Sequence, residues 1–130
     1  MVLDSSAVVA ILRREPEAVA FAHLVASANS PIMSAASVLE TATLLEGRYG
    51  ESAGRELDLF LVVANVGVVS VDREQIEVAR RGWRKYGKGR HPAALNFGDC
   101  LSYALAKISR EPLLAKGNDF AQTDIPMRQP

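Results

Sequence analysis

The chain has 130 residues, the size of one compact domain with a single hydrophobic core. Its 48% hydrophobic and 23% charged residues exclude a disordered protein and are typical of a globular one. The charges of the 15 acidic and 15 basic residues cancel, so the net charge does not indicate or exclude any class of binding partner.

The chain begins with an alternation of short apolar runs and helices. The run "MVL" predicts a strand that stops at Asp4, and "DSSAVVAILRRE" predicts a helix with Asp4 or Ser5 as its N-cap. A second helix, "PEAVAFAHLVASA", begins at Pro16, because proline fits a first helical position. The segment "PIMS" then predicts a second strand.

Two long helices fill the middle of the chain. The first, "AASVLETATLLEGRYG", ends at Gly47 and Gly50. The second, "ESAGRELDLFLVVANV", is apolar almost all round from Leu57 to Val63, which predicts burial in the core or against a partner chain.

The last part of the chain repeats the alternation. "VGVVSV" has the β-branched residues of a buried strand, and "DREQIEVARRGWRKYG" predicts an exposed amphipathic helix that begins at Asp72. After the loop "KGRHPAALN", the segment "FGDCLSYALAKISR" predicts a buried helix and "PLLA" a last strand. Short strands separated by helices predict a mainly parallel sheet with helices on both faces, a three-layer α/β/α domain over residues 1–130.

The predicted topology brings four acids from distant parts of the chain to one edge of the sheet. In a parallel sheet every strand's carboxyl end lies at the same edge, where ligands bind. Asp4 follows the first strand, Glu40 and Asp99 lie in the first turns of two helices, and Asp119 follows the last strand. Each has an alternative explanation as a cap or turn residue; Ser37 with Glu40, for example, has capping-box spacing.

The four acids together predict a metal site. Glu40 and Asp99 have apolar neighbours in sequence, and burying several like charges is costly unless a cation is present. Carboxylate oxygens without a histidine or cysteine cluster favour Mg²⁺ over zinc. Two such ions could stabilise the attacking and leaving oxygens of a phosphodiester displacement.

A run of bases precedes Asp99 and predicts binding to a phosphate-rich substrate. No acid lies between Glu77 and Asp99, and Trp83 and Tyr86 lie among the bases as candidate stacking groups for unpaired nucleic-acid bases. The alternative is a solvated helix face with Trp83 packed inward. The six bases are Arg80, Arg81, Arg84, Lys85, Lys88 and Arg90.

Four motifs, in this order and at these spacings, carry a family resemblance that covers nearly the whole chain: "VLDSSAVVAIL", "SAASVLETATLL", "LNFGDCLSYALA" and "PLLAKGNDFAQTDI". Together they resemble the PIN-domain ribonucleases, specifically the VapC-type toxins of bacterial toxin–antitoxin pairs. The resemblance implies RNA cleavage dependent on Mg²⁺ or Mn²⁺, with Asp4, Glu40 and Asp99 as the acidic core. It also implies a homodimer, alone or within a larger toxin–antitoxin assembly, and a cognate VapB-type antitoxin whose C-terminal tail covers the site.

The resemblance also assigns supporting residues and leaves the fourth acid open. Ser6 matches a small polar position that orients the first acid. Many relatives carry an aspartate directly after the glycine of the last motif, where this chain has Asn118. Asp119 is the candidate fourth acid, with Asn118 in support, and Asp124 is a further candidate.

Two other functions compete with this interpretation. A phosphorelay receiver domain has a similar length and element order, with Asp72 as phosphoacceptor and Lys116 as its lysine, but it needs an acidic pair where Asp4 stands before serines. A catalytically silent PIN-like module would only bind a partner or RNA, with the apolar helix at 57–63 and the first two helices as its interface.

The cellular setting follows from cysteine usage and hydropathy. The only cysteine, Cys100, cannot form a disulfide within the chain, which favours a reducing compartment. Asp4 comes too early for a signal peptide, and the apolar run 59–64 is too short to span a bilayer. We therefore expect a cytoplasmic protein with no membrane contact.

Overall fold

A computed structural model describes residues 1–130, and four short parallel strands form its centre. The sheet has the order β3-β2-β1-β4, so the two strands nearest the middle are β2 and β1. In register, Val2 of β1 lies between Ile32 of β2 and Leu113 of β4. The strands are β1 (Val2–Leu3), β2 (Ile32–Ser34), β3 (Gly67–Val69) and β4 (Leu113–Leu114).

Six helices connect and cover these strands, and a short 3₁₀ turn (Phe120–Gln122) follows β4. Each predicted helix is present, with shorter ends than the sequence pattern indicates. The helices are α1 (Ser5–Leu12), α2 (Ala18–Ala26), α3 (Ala35–Tyr49), α4 (Glu51–Val63), α5 (Arg73–Tyr86) and α6 (Phe97–Ser109).

Alternate residues of the central strands face two separate hydrophobic cores. Val2 and Leu113 pack in a core with α5 and α6, whereas Leu3 and Leu114 pack in a core with α1, α2, α3 and α4. This follows from the two-residue period of a strand, which sends successive side chains to opposite faces. The predicted three-layer α/β/α fold with a parallel sheet is therefore confirmed.

The expected burial of β3 is wrong, and most of the apolar run of α4 is not buried in the core, which leaves burial against a partner chain as the remaining prediction. β3 is an edge strand, and Val68 is 51% exposed, although the sequence predicts a buried strand. In α4 only Leu57 is buried within the apolar run, while the last valines of the helix, Val62 and Val63, are about three-quarters exposed (76% and 75%). A run of apolar residues indicates hydrophobicity, but it does not show how many sides of an element the fold covers.

Local sequence signals predicted most helix ends correctly, and the exceptions are in α2 and α3. Asp4 caps α1 and Asp72 caps α5, as predicted. α3 is capped by Ser34, so Ser37 and Glu40 do not form its capping box, and Gly47 lies inside the helix that Gly50 ends. Pro16 lies in the turn before α2, which begins at Ala18. No helix combines the length and apolar character needed to cross a membrane.

Candidate active site

Asp4 is the most deeply buried of the predicted acids, with 2% of its surface exposed at the carboxyl end of β1. Its Oδ2 accepts hydrogen bonds from the backbone N–H of Ser6 at 2.9 Å and from the Ser6 hydroxyl at 2.7 Å. The Ser6 Oγ in turn accepts the backbone N–H of Lys116 at 3.0 Å, just after β4. Ser6 therefore joins the first acid to the end of the neighbouring strand.

The other oxygen of Asp4 is held by a buried chain of hydroxyls. Ser102 of α6 donates to Asp4 Oδ1 at 2.6 Å, and its Oγ lies 3.2 Å from the Oγ of Ser37 on α3. All three side chains are buried. Because a buried charge requires hydrogen-bond partners, this chain fixes Asp4 relative to the two helices that carry Glu40 and Asp99.

Replacing Ser102 with alanine is expected to lower the free energy of unfolding by about 1–3 kcal/mol, because Asp4 Oδ1 loses its only donor. Urea denaturation at neutral pH measures the change. Ser109→Ala is the matched control on the same helix, since that hydroxyl donates to the helix's own Leu105 carbonyl. Equal stability of the two variants would show that the Ser102 contact contributes little.

Glu40 reaches the same pocket from α3 and is held by two neighbours. Its Oε1 accepts a hydrogen bond from the Ser5 hydroxyl. Its carboxyl group lies directly against Gly98 of α6, where a Cβ atom would lie within 2.9 Å of both oxygens and the carboxyl carbon. The glycine therefore permits the close approach of Glu40 to the start of the helix that carries Asp99.

Asp99 is at once a helix cap and a member of the pocket. Asn96 and Asp99 form a complete capping box, with each side chain accepting the other residue's backbone N–H at 2.9 Å. This confirms the predicted capping. Only Oδ2 of Asp99 is used in the box, so the other oxygen remains for the pocket that Asp99 also lines.

The three acids line one pocket of about 400 Å³ whose charge is strongly negative. Burial, followed by the negative charges of Asp4, Glu40 and Asp119, raises the pKa of Asp99 from 3.8 to about 6. Lys116 is the only base among the lining residues, and its ammonium group is already paired with Glu15 and Glu17. The lining residues are Asp4, Ser5, Ser6, Val9, Glu15, Glu40, Leu44, Asn96, Asp99 and Lys116.

The pocket suits a hard divalent cation by its chemistry. Its donors are carboxylate, hydroxyl and amide oxygens, with no histidine or cysteine, and the mutual repulsion of its acids favours a positive charge. No three His, Cys, Asp or Glu side chains are gathered closely enough to hold an ion as they stand. The acids instead line the walls of an open pocket, a form that suits an ion retaining water or substrate oxygens among its ligands.

The residues proposed for the fourth position lie in different places. Asn118 and Asp119 are exposed in the loop after β4 and do not line the pocket, but the charge of Asp119 contributes to the raised pKa of Asp99. Asp124 is engaged elsewhere, accepting hydrogen bonds from Tyr103 at 2.9 Å and from Lys107. Of the candidates, Asp119 is therefore the one within electrostatic reach of the pocket.

All six predicted basic residues are exposed on the second half of α5 and in the loop after it. The loop is closed by two backbone hydrogen bonds, in which the Lys88 N–H donates to the Leu95 carbonyl and the Leu95 N–H donates to the Tyr86 carbonyl, both at 2.9 Å. Because Asn96 follows Leu95 directly, the basic loop is anchored at the start of α6.

The two aromatic residues within this basic segment have different environments. Tyr86 is buried against Tyr103 and the edge of His91, so the prediction that it stacks on nucleic-acid bases is wrong. Trp83 is 44% exposed, and the guanidinium of Arg90 lies 4.2 Å from its ring centroid. The sequence could not separate the two, because a helix places residues three apart at slightly different angles to the core.

Several residues of the site lie outside the sequence-based predictions. Ser5, Ser102 and Gly98 contact the acids, yet serine and glycine at helix starts are too common to indicate such roles. The spacing of Ser102, three residues after Asp99, places both on one helix face and is the only signal available. Cys100 is a buried thiol, and burial raises its pKa to about 11, which keeps it from acting as a thiolate.

Comparison with known proteins identifies the family of the chain and several proteins of similar sequence. The PIN domain profile matches residues 1–126, so the chain belongs to the PIN-domain family. It is 55% identical over 125 residues to a ribonuclease VapC of Mycolicibacterium smegmatis, covering 96% of this chain and 97% of that protein. It has the same identity to ribonuclease VapC30 of Mycobacterium tuberculosis, covering 96% and 95% of the two chains.

Solved structures agree on the fold. VapC20 of Mycobacterium tuberculosis, described as a toxin that cleaves the sarcin-ricin loop, matches with a TM-score of 0.80 at 23% identity, covering 99% of this chain and 98% of that one. VapBC2 of Rickettsia felis, solved with a DNA fragment from its promoter, matches with a TM-score of 0.75 at 14% identity, covering 98% and 96%. The predicted resemblance to VapC-type PIN domains is confirmed, and the receiver domain is excluded.

Proposed function

We propose that this protein is a metal-dependent endoribonuclease toxin that hydrolyses RNA phosphodiester bonds with Mg²⁺ or Mn²⁺. The observation that carries the proposal is one acidic pocket lined by Asp4, Glu40 and Asp99, which come from three separate elements. Its 55% identity to proteins named as VapC ribonucleases, over nearly the whole chain, supports RNA as the substrate. PIN-domain ribonucleases generally use divalent ions, which supports the metal requirement.

Asp4, Glu40 and Asp99 would hold the metal, with Asp119 as the proposed fourth acid. A bound divalent ion supplies charge stabilisation and an activated water at a phosphodiester. The chain's own contribution is to orient the ligands: Ser6 and Ser102 each hold one oxygen of Asp4, and Ser5 holds Glu40. The remaining supporting position proposed from the sequence, Asn118, is exposed in the loop after β4 and does not line the pocket.

The basic surface of α5 and its loop supplies the binding of the RNA backbone. The double variant Arg84→Ala plus Lys85→Ala is expected to weaken RNA binding and to reduce the slope of log K against log salt by about 1.4, since each phosphate contact to a single strand accounts for about 0.7. Fluorescence anisotropy at several salt concentrations measures both quantities.

The control for that prediction is Arg110→Ala plus Arg128→Ala, which removes the same charge from exposed positions at the end of α6 and beside β4. If the two double variants bind RNA with the same affinity and the same salt slope, the basic run of α5 is only a solvated helix face.

A VapB-type antitoxin is the proposed partner. The exposed apolar end of α4 and helices α1 and α2 line an open groove of about 890 Å³, with Arg13, Arg14 and Glu56 among its polar residues. An apolar floor with two arginines fits an amphipathic segment that carries acidic residues. The solved VapBC2 pair of Rickettsia felis, which shares this fold, supports such a pairing. A homodimer in the cytoplasm, alone or within a larger assembly with the antitoxin, completes the proposal.

Cleavage of total RNA by the purified protein with added Mg²⁺ or Mn²⁺, compared with the same reaction in chelator, tests the activity. Metal-dependent cuts at defined positions are expected. The absence of cutting under both ions would favour the catalytically silent PIN-like module, in which the same pocket and basic surface only bind.

A further inference from the structure

Phe97 is the most exposed large hydrophobic residue of the chain, with 85% of its surface accessible. Burying a phenylalanine side chain normally gains about 1.5–3 kcal/mol, so a folded chain gains nothing from leaving one in water. The other exposed aromatic residues are covered in part by cations: Arg13 lies 3.6 Å above the Tyr49 ring centroid and Arg90 lies 4.2 Å above that of Trp83.

Local structure gives Phe97 no role in the helix that it begins. Phe97 is the first residue of α6, and the cap is supplied by its neighbours Asn96 and Asp99. The apolar residues that flank the cap, Leu95 and Cys100, are both buried, so the hydrophobic contact that often stabilises a helix start does not involve Phe97 either. Any residue with fair helix propensity would serve the fold at this position.

The position of Phe97 in the chain sets it at the rim of the acidic pocket. Its neighbour Asn96 and its second neighbour Asp99 both line that pocket, and the intervening Gly98 lies against the Glu40 carboxyl group. Two residues before Phe97 is Leu95, where backbone hydrogen bonds to Tyr86 and Lys88 close the basic loop. Along the chain, an exposed aromatic ring therefore lies between the proposed RNA-binding loop and an acid of the proposed cleavage site.

We propose that Phe97 is a specificity-determining residue on which an unpaired RNA base stacks, next to the phosphate that is cleaved. This inference rests on the proposed function and adds a contact to it. Aromatic rings bind unpaired bases by stacking, whereas bases inside a duplex stack on each other and are unavailable. Phe97 thus selects single-stranded RNA at the site.

A nucleotide fits this rim better than a second copy of the chain does. A stable protein interface needs about 800 Å² of complementary surface on each partner, with an apolar centre. The chain around Phe97 instead consists of an exposed asparagine, a glycine and an acid, and the preceding loop carries Lys88 and Arg90. One apolar ring with polar and charged neighbours in sequence matches a base with its phosphate.

Binding of a short single-stranded RNA in chelator, where no cleavage occurs, tests the proposal. Phe97→Ala is expected to weaken binding about 10-fold, the effect of losing one stacked base, with Phe97→Leu close to it because leucine has no aromatic face. Phe97→Trp should retain the wild-type affinity. A duplex of the same length should bind all four proteins equally. Val19→Ala, which removes another exposed apolar side chain from α2 (70% exposed), should change nothing.

A spectroscopic readout separates stacking from a structural role. In a Trp83→Phe background, Phe97→Trp provides the only tryptophan of the chain. Its fluorescence should be quenched by single-stranded RNA and not by the duplex. The proposal is overturned if Phe97→Ala binds single strands like wild type, or if it loses affinity equally for the duplex. It is also overturned if the variant changes the sedimentation coefficient, since Phe97 would then contact a second copy of the chain.

These outcomes are independent of the proposed activity. A wild-type protein that cuts no RNA with Mg²⁺ or Mn²⁺ contradicts the ribonuclease proposal, even where Phe97 affects single-strand binding. A protein that cuts RNA while Phe97→Ala leaves single-strand binding unchanged contradicts only the stacking proposal.

Discussion

Replacing Asp99 with asparagine is expected to lower metal-dependent RNA cleavage by at least about 100-fold while the protein stays folded. The two side chains have nearly the same shape, and the amide oxygen still accepts the Asn96 backbone N–H that closes the capping box. The variant loses only the negative charge that Asp99 adds to the pocket of Asp4 and Glu40. Single-turnover cleavage in saturating Mn²⁺, together with thermal unfolding followed by circular dichroism, measures both effects.

Two further carboxylates provide controls for this prediction. Asp124→Asn should leave the cleavage rate unchanged, because that side chain contacts Tyr103 and Lys107 instead of the pocket. Asp119→Asn should lower the rate less than Asp99→Asn, since Asp119 acts on the pocket through its charge from an exposed loop. Full activity of a folded Asp99→Asn protein, or a large loss from Asp124→Asn, would falsify the assignment of the acidic core.

The same substitution should alter how stability depends on pH in metal-free protein. The folded state raises the pKa of Asp99 from 3.8 to about 6, chiefly through burial and secondarily through the nearby acids. The folded state therefore holds the proton more tightly than the unfolded state, so its stability falls as the pH rises from about 4 through 6. After allowance for solvent screening, the loss amounts to about 1–2 kcal/mol.

Asp99→Asn should remove this part of the pH dependence, making the metal-free variant more stable than wild type at pH 7 and about equal to it at pH 3.5. Denaturation curves in chelator over that range test the sign. Added Mn²⁺ should reverse the order at neutral pH, because a cation that binds only the folded wild type stabilises it.

Local chemistry explains which parts of the fold the sequence could predict. Asp4 and Asp72 cap their helices as predicted, because a cap depends on residues within one turn of each other. The exposure of β3 and of the end of α4 depends on which elements lie beside them, which hydrophobicity alone does not encode. A partner chain is one way to cover such an exposed face, and this information lies outside the sequence of this chain.

The site shows the same division between local and long-range information. The convergence of Asp4, Glu40 and Asp99 could be predicted, because parallel topology sends the carboxyl ends of all strands to one edge. The buried contact between Ser37 and Ser102 joins residues 65 positions apart, and each serine alone resembles an ordinary helix residue. Tyr86 and Trp83 also looked alike in the sequence, and only packing separates the buried ring from the half-exposed one.

Gly98 is the position where a single methyl group is expected to lower activity without unfolding the protein. In Gly98→Ala the new Cβ would lie within 2.9 Å of the Glu40 carboxyl carbon and both of its oxygens. The fold can relieve this contact cheaply, since the end of a glutamate side chain rotates and alanine favours helix over glycine by about 1 kcal/mol. The active site cannot relieve the contact without a loss of activity, because Glu40 must then leave its position beside Ser5 and Asp99.

We therefore expect Gly98→Ala to lower cleavage by at least about 10-fold, the cost of displacing one metal-binding group, with unchanged or higher thermal stability. Gly47→Ala is the matched control: it adds the same methyl group inside α3, where no atom lies within 4 Å of the new Cβ. That variant should gain stability and keep full activity. If Gly98→Ala and Gly47→Ala cleave RNA equally well, Glu40 does not act from its present position, and the acidic core would have to work through Asp4 and Asp99 alone.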